Sequence, residues 1–494
     1  MSSVSGRLIK GSAWMSASRI VVNALSLLST IILARLLVPE DFGIVSLAMT
    51  LLAIITSITE LSLSMALVRH AAPTAEHFDT AWTLNALRGL VIGAIFVACG
   101  WPVAALYGDD RLVPVMAVLG FGLFVTGLMN PRTVLLQREL VFWQEFVLDV
   151  VQKLAAFVIS IAIAYLYRTY WALLVGYVIG QIVSTIVSYA IMPYRPRIGF
   201  KHFRDLMSFS VWLTGGQIVN TLNWRFEYLL IAQVLGMGPL GHYSVGSNLA
   251  QIPTRETTSP LMKVIYPGFA TIRDNPVRLA SAYQRAQSLL TAIALPAGFG
   301  AALIADPLIR LAMGDKWEPV IFVVQVLSAV FALQTLGSLS TSLGMARGET
   351  RILFQRNVLM LIVRVPLIVM GMLLAGLKGI VVARLVSGLF SILVSMQLVR
   401  RFTGLSLGQQ LSANTRALAS TAAMVGSVVV ISPLLGTESD AVSLLTRIVV
   451  IGAVGALVYC GTSVVLWIAM HKPSGPEREV QLLVGKLLAK LRIA

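Results

Sequence analysis

Long apolar stretches recur along this chain from end to end, and they leave its backbone few options. A hydrocarbon layer offers no partner to a backbone N–H or C=O, so a crossing segment must satisfy those groups internally. A helix of about 20 residues does so. Fourteen stretches of that order fall at 13–37, 43–67, 81–106, 112–130, 146–166, 170–192, 209–235, 241–266, 287–312, 319–345, 357–376, 379–399, 417–435 and 446–469. Of 494 residues, 57% are hydrophobic and 12% charged, where a soluble domain carries roughly a quarter charged residues. The fold class is all-α, polytopic and membrane-embedded. The first stretch is too long for a cleavable signal. Cys99 and Cys460 lie inside apolar stretches and read as small buried hydrophobes.

The net charge of +16 is distributed by side. One alternate set of loops and span ends gathers Arg7, Lys10, Arg69, Arg132, Arg138, Arg195, Arg197, Lys201, Arg347, Arg351, Arg400, Arg401 and Arg416, among others. The other set holds only Arg111, Arg168, Lys316, Lys378 and Arg447, interspersed with carboxylates. The positive-inside rule then puts both termini in the cytoplasm. Such loops signal topology and meet anionic membrane lipids, so nucleic acid is not the expected partner.

An internal repeat organises the spans. Shifted by 198 residues, Ser12, Trp14, Ile20, Val21, Ala34, Leu37, Gly43, Ser46, Leu51, Ile54, Thr56 and Thr59 fall on identical residues from Ser210 to Thr257. Six spans separate the two copies, so they cross in the same direction, as parallel repeats do. The expected organisation is a six-helix lobe over 1–200, a second over 201–410, and two added helices within 411–470. Residues 471–494 form a cytoplasmic tail, amphipathic over 477–492. The lobes are expected to flank a central cavity.

No outer loop exceeds a dozen residues. The sequence holds no phosphate-binding glycine loop, metal-binding histidine pair or nucleophile elbow. Catalytic residues, a metal and cofactors are accordingly not expected. Gly89-x-x-x-Gly93 and Gly176-x-x-x-Gly180 read as close helix contacts.

Charges inside spans are costly and usually line a cavity or pair. The deepest are Arg225 and Glu227 in span 7 and Arg255 and Glu256 in span 8, with Arg19, Glu60, Arg88 and Arg364 about two turns from a span end. Arg225 and Glu227 point in nearly opposite directions, so at most one faces a cavity squarely. Arg35, Arg310 and Arg384 lie near span ends and read as snorkelling. Asp149 and Lys153, at i and i+4, read as an ion pair. In span 1, Ser16, Arg19, Asn23, Ser26 and Thr30 make one polar stripe, and the repeat carries it onto Thr214, Gln217, Thr221, Trp224 and Tyr228. Asn220 joins that second set, and Asn248, Gln251 and Arg255 share a face of span 8. These are the expected polar and aromatic cavity lining. Arginines suit phosphate through their planar forked donors, so a headgroup or pyrophosphate contact is expected at Arg19, Arg225, Arg255, Arg88 and Arg364. Glu60, Glu227 and Glu256 are the candidates for carrying a coupling ion.

Gly11-Ser12-Ala13-Trp14 and the run Ile32-Leu33-Ala34-Arg35-Leu36-Leu37-Val38-Pro39-Glu40-Asp41-Phe42-Gly43 resemble the polysaccharide-export family of the MOP flippase superfamily, in its Wzx-type branch. The resemblance implies translocation of undecaprenyl-pyrophosphate-linked oligosaccharide from the cytoplasmic to the periplasmic leaflet of the bacterial inner membrane, for exopolysaccharide biosynthesis. It implies alternating access, coupling to an H+ or Na+ gradient or the membrane potential, and a polysaccharide polymerase and chain-length regulator as partners. It also implies pyrophosphate contacts from the first and eighth helices, where Arg19 and Arg255 stand. Two alternatives stay open: a multidrug or cation antiporter of the same fold, and a membrane-embedded polymerase or ligase.

Overall fold

The computed structural model describes residues 4–59, 63, 67, 73–138, 142–203, 211–436, 440–473, 475–478 and 481. Glu60 and nearly all of the amphipathic tail lie outside the described residues. The chain forms two compact units, Met1–Ser244 and Val245–Ala494.

In the first unit, α1 (Val4–Leu36) and α2 (Pro39–Thr59) are followed by α3 (Ala75–Ala98), α4 (Gly100–Tyr107) and α5 (Leu112–Gly127). The short α6 (Val134–Arg138), α7 (Phe142–Tyr167), α8 (Trp171–Ile191), α9 (Val211–Val234) and the start of α10 (Met237–Thr271) complete it. Glycines set the closest approaches. A methyl at Gly93 would lie 2.6 Å from the Gly120 carbonyl oxygen, and one at Gly89 2.9 Å from that of Leu123, so α3 rides directly on the α5 backbone. Gly176 and Gly180 of α8 likewise fit against Ser160 and Ala156 of α7. Both glycine pairs are close contacts, as their spacing predicts.

One contact exchanges its two sides under the repeat. A methyl at Gly43 would lie 1.9 Å from the Met237 carbonyl oxygen, and one at Gly241 would lie 1.8 Å from that of Pro39. The 198-residue shift carries Gly43 to Gly241 and Pro39 to Met237. The starts of α2 and α10 are thus pressed backbone to backbone through paired glycines.

In the second unit, α11 (Pro276–Met313), α12 (Glu318–Ala346) and α13 (Thr350–Thr403) pack in succession. The short α14 (Leu407–Ser412) leads to α15 (Thr415–Ile431) and α16 (Ala441–Ala469), which pack on α11. Within α13 the backbone leaves the helical region at Ala375 and at Gly376, whose φ of 56° suits glycine. Gly371 and Gly379 meet across this break, so the chain turns back as a hairpin of two crossings. Ten helices of the described residues are long and apolar enough to cross a membrane, α13 counted once. α9 and α10 are not among them, because their polar and charged residues and three α10 prolines dilute their apolar character.

Depth along a span proves a poor guide to burial. Arg384, expected to snorkel, is 1% exposed, with its guanidinium 6.0 Å from the Phe331 ring centre. Arg310 is held by Asp306 at 2.9 Å, Asp315 at 3.3 Å and Glu318 at 3.2 Å, while Arg447 of α16 reaches Asp306 at 3.1 Å. Carboxylates, not the interface alone, hold it. Neither cysteine is buried as expected: Cys99 is half-buried and Cys460 exposed. The expected Asp149–Lys153 ion pair is not formed; Asp149 Oδ2 accepts the hydroxyl of Ser18 of α1 at 3.0 Å.

A histidine pair joins the segment after α8 to the start of α3. His77 Nδ1 accepts the Thr74 backbone N–H at 3.2 Å, capping α3, and its ring stacks on His202 at 3.6 Å. His202 Nε2 lies 3.5 Å from Glu76, whose hydrogen bond from Lys201 holds its carboxyl below the usual range. Glu76 therefore contributes above the ordinary carboxylate range, and its contribution fades as pH falls through its lowered value. His202→Ala, which removes the ring stacked on His77, is expected to accelerate hydrogen exchange at 195–203 and 74–78. Unchanged exchange in that variant would refute the pairing.

Candidate site: arginine–carboxylate clusters and an internal polar cavity

Each unit carries mid-span charge, and the local packing decides which member of each pair is accessible. In α9, Glu227 is 1% exposed and accepts the Tyr243 hydroxyl at 2.8 Å, with Tyr243 fully buried. Tyr243 meets Tyr228 edge-on at 5.4 Å, and the Arg225 guanidinium lies 5.4 Å from the Tyr228 ring centre. Two residues along a helix turn a side chain through about half the circumference. Glu227 accordingly points into the packing of the unit and Arg225 stays half-buried on its more open side. In the second unit, Arg255 and Glu256 of α10 pair at 3.0 Å, and the arginine is again the more open, with side-chain exposures of 63% and 27%.

The remaining expected site residues separate by environment. Gln217, Trp224 and Asn248 are exposed, Asn220, Thr221 and Gln251 half-buried, and Tyr228 buried in the tyrosine cluster. Gln251 donates weakly to Ser247 at 3.5 Å. Arg19 and Asn23 are half-buried on α1. Arg88 lines a cavity of about 220 Å3 among α2, α3 and α5, with Asn85, Thr126 and Asn130 beside it. Arg364 is 6% exposed, inside the α13 hairpin's own unit.

The polar stripe of α1 divides. Its later half, Ser26 and Thr30, faces a cavity of about 560 Å3 inside the first unit, bounded by α1, α2, α7 and α8. The sequence reading assigned that whole stripe to a cavity shared between lobes. α7 brings Asp149, Gln152 and Lys153 into the same space, and α8 brings Tyr177 and Gln181. Lys153, Gln152, Tyr177 and Gln181 were not singled out as a site; the i, i+3/4 spacing of Asp149, Gln152 and Lys153 was the available signal. Arg356 was also missed, half-buried in the second unit and donating hydrogen bonds to Ser395 at 2.9 Å and Thr341 at 3.3 Å. Among the described residues no three histidines, cysteines or carboxylates group to hold a metal ion.

Comparison with known proteins matches residues 32–322 to a family model described as polysaccharide biosynthesis protein. The chain is 24% identical over 393 residues to the lipopolysaccharide biosynthesis protein WzxC of Escherichia coli K12, covering 79% of this chain and 80% of that one. It is 25% identical over 306 residues to the succinoglycan biosynthesis transport protein ExoT of Rhizobium meliloti, covering 62% of each. In three dimensions it is similar to the lipid II flippase MurJ in an inward closed conformation, with a TM-score of 0.73 at 14% identity, over 94% of this chain and 99% of that one.

Proposed function

The chain belongs to the family of polysaccharide biosynthesis proteins, multi-pass membrane transporters rather than enzymes, and from that membership we propose that it flips undecaprenyl-pyrophosphate-linked oligosaccharide. Translocation would run from the cytoplasmic to the periplasmic leaflet of a bacterial inner membrane, by alternating access of two parallel six-helix lobes. Fourteen spans, with the last two appended and both termini cytoplasmic, complete the proposed topology. Energy would come from an ion gradient or the membrane potential.

One observation carries the choice of cargo: in both deep arginine–carboxylate sets, the arginine is the more open member. Glu227 is engaged by a buried tyrosine while Arg225 stays accessible, and Arg255 is more exposed than Glu256. An antiporter of cationic drugs needs the reverse, carboxylates open to the substrate. Guanidinium groups present forked donors that match a pyrophosphate, and aromatic and amide groups nearby suit sugar rings. Arg19, Arg88, Arg225, Arg255 and Arg364 are the proposed contacts to the anionic head.

Arg255→Ala is expected to lower export of lipid-linked repeat units about tenfold or more at unchanged membrane abundance, the cost of losing a charge-assisted bidentate contact. Arg35→Ala, at an exposed span end, should leave export near the wild-type level. Accumulation of lipid-linked oligosaccharide on the cytoplasmic leaflet after deletion is the direct readout. Normal polymer export in the deletion strain would overturn the flippase reading.

A further inference from the structure

The cavity inside the first unit has the composition of a sugar site, with one cation that a neutral sugar would not need. Its volume of about 560 Å3 lies in the ordinary range of small-molecule sites. Lys153 stands near the middle of α7, and it forms no ion pair with Asp149 one turn away. An ammonium at that depth is costly without an anion to meet it.

The other polar groups divide into donors and acceptors. Gln152 and Gln181 offer amide donors. Ser26 and Thr30 give their hydroxyl protons to the carbonyls of Val22 and Ser26, at 2.7 and 2.9 Å, so their free lone pairs are what the cavity meets. Asp149, already holding Ser18, adds carboxylate acceptors. A bare inorganic anion uses donors alone and offers nothing to the acceptors of Asp149, Ser26 and Thr30. A pyranose ring wants both kinds, since each hydroxyl donates and accepts. Phe157 and Tyr177 supply flat apolar faces for ring C–H groups.

We propose that this cavity binds a hexuronic-acid ring, with its carboxylate on Lys153 and its hydroxyls shared among the amides, Asp149 and the α1 hydroxyls. The proposal rests on the flippase reading in taking that ring to reach the cavity as part of the cargo; the binding itself does not depend on it. A free hexuronate and a glycan-linked one present the same chemistry.

Calorimetric titration of the full-length protein in nanodiscs separates the possibilities, with sodium glucuronate, glucose and sodium sulfate as probes at matched ionic strength. Wild type is expected to bind glucuronate about tenfold or more tighter than glucose. Lys153→Met should abolish that preference while leaving glucose binding unchanged, and Asp149→Asn should weaken both sugars. Lys153→Arg, which keeps the charge, should retain the preference and stands in should the methionine variant fail to fold. Equal affinity for glucuronate and glucose in the wild type would overturn the proposal. So would sulfate displacing glucuronate at equal concentration, which marks a simple anion site. A strain that exports normally while its purified protein ignores glucuronate would sink this assignment alone and leave the flippase reading standing.

Discussion

Gly43→Val and Gly241→Val are each expected to remove most folded protein from the membrane fraction. The paired contact leaves no room for a first carbon, since a methyl at either position meets a backbone carbonyl oxygen closer than 2 Å. A carbonyl cannot rotate away as a side chain can, so the starts of α2 and α10 must separate. Overpacking of this kind costs about 3 kcal/mol at the upper end of its usual range, a large share of a marginal stability. The two substitutions strain one contact, so the double variant should fall short of the sum of the singles. Size-exclusion profiles of detergent-extracted protein, with thermal midpoints, give the measurement. Wild-type midpoints in either single variant would mean the two helix starts are not in contact.

Glu227→Ala is expected to be the most destabilising change among the deep charges, at about 3 kcal/mol. It removes the carboxylate that accepts from the hydroxyl of Tyr243, a fully buried side chain. It also removes the carboxylate nearest to Arg225 in sequence and opens a void beneath the tyrosine pair. Glu227→Gln keeps an acceptor for Tyr243 and should cost about 1 kcal/mol, with export preserved. Tyr243→Phe should fall between them. Thermal midpoints rank the three, and export per unit of membrane protein tests the role. Loss of export in the glutamine variant at full abundance would instead make Glu227 an ion carrier, the role its depth first suggested.

How far the sequence could be read depended on which helix supplied the partner. Crossing helices and glycine contacts were legible because both follow from periodicity and composition within one segment: Gly89, Gly93, Gly176 and Gly180 sit where their spacing puts them. The division between Arg225 and Glu227 was half legible. Helix geometry separates their directions, but only the position of Tyr243 decides which of them is buried. The Asp149–Lys153 spacing suggested an internal pair and gave the wrong partner: the carboxylate accepts from Ser18, a hydroxyl on a different helix that no spacing within α7 reveals. Arg384 was misread for a related reason. Its distance from a span end allows snorkelling, but its face of α13 turns toward α12 and Phe331. A one-dimensional depth scale cannot see a neighbouring helix. Of the polar stripe read on α1, Ser26 and Thr30 line a cavity within the first unit.

The reciprocal glycine contact carries a further consequence. When Gly43 meets the backbone of residue 237 and Gly241 meets that of residue 39, exchanging the two repeats returns the same contact. Self-complementarity of that kind defines an isologous interface, the type by which two identical chains form a twofold dimer. At this spot the polypeptide is equivalent to a dimer whose subunits have been tethered. Tethering removes a constraint that a true homodimer never escapes, in which every substitution appears twice. Here one copy can place arginine at position 255 while the other keeps serine at position 57, and the shared contact need not change for the two copies to differ in charge.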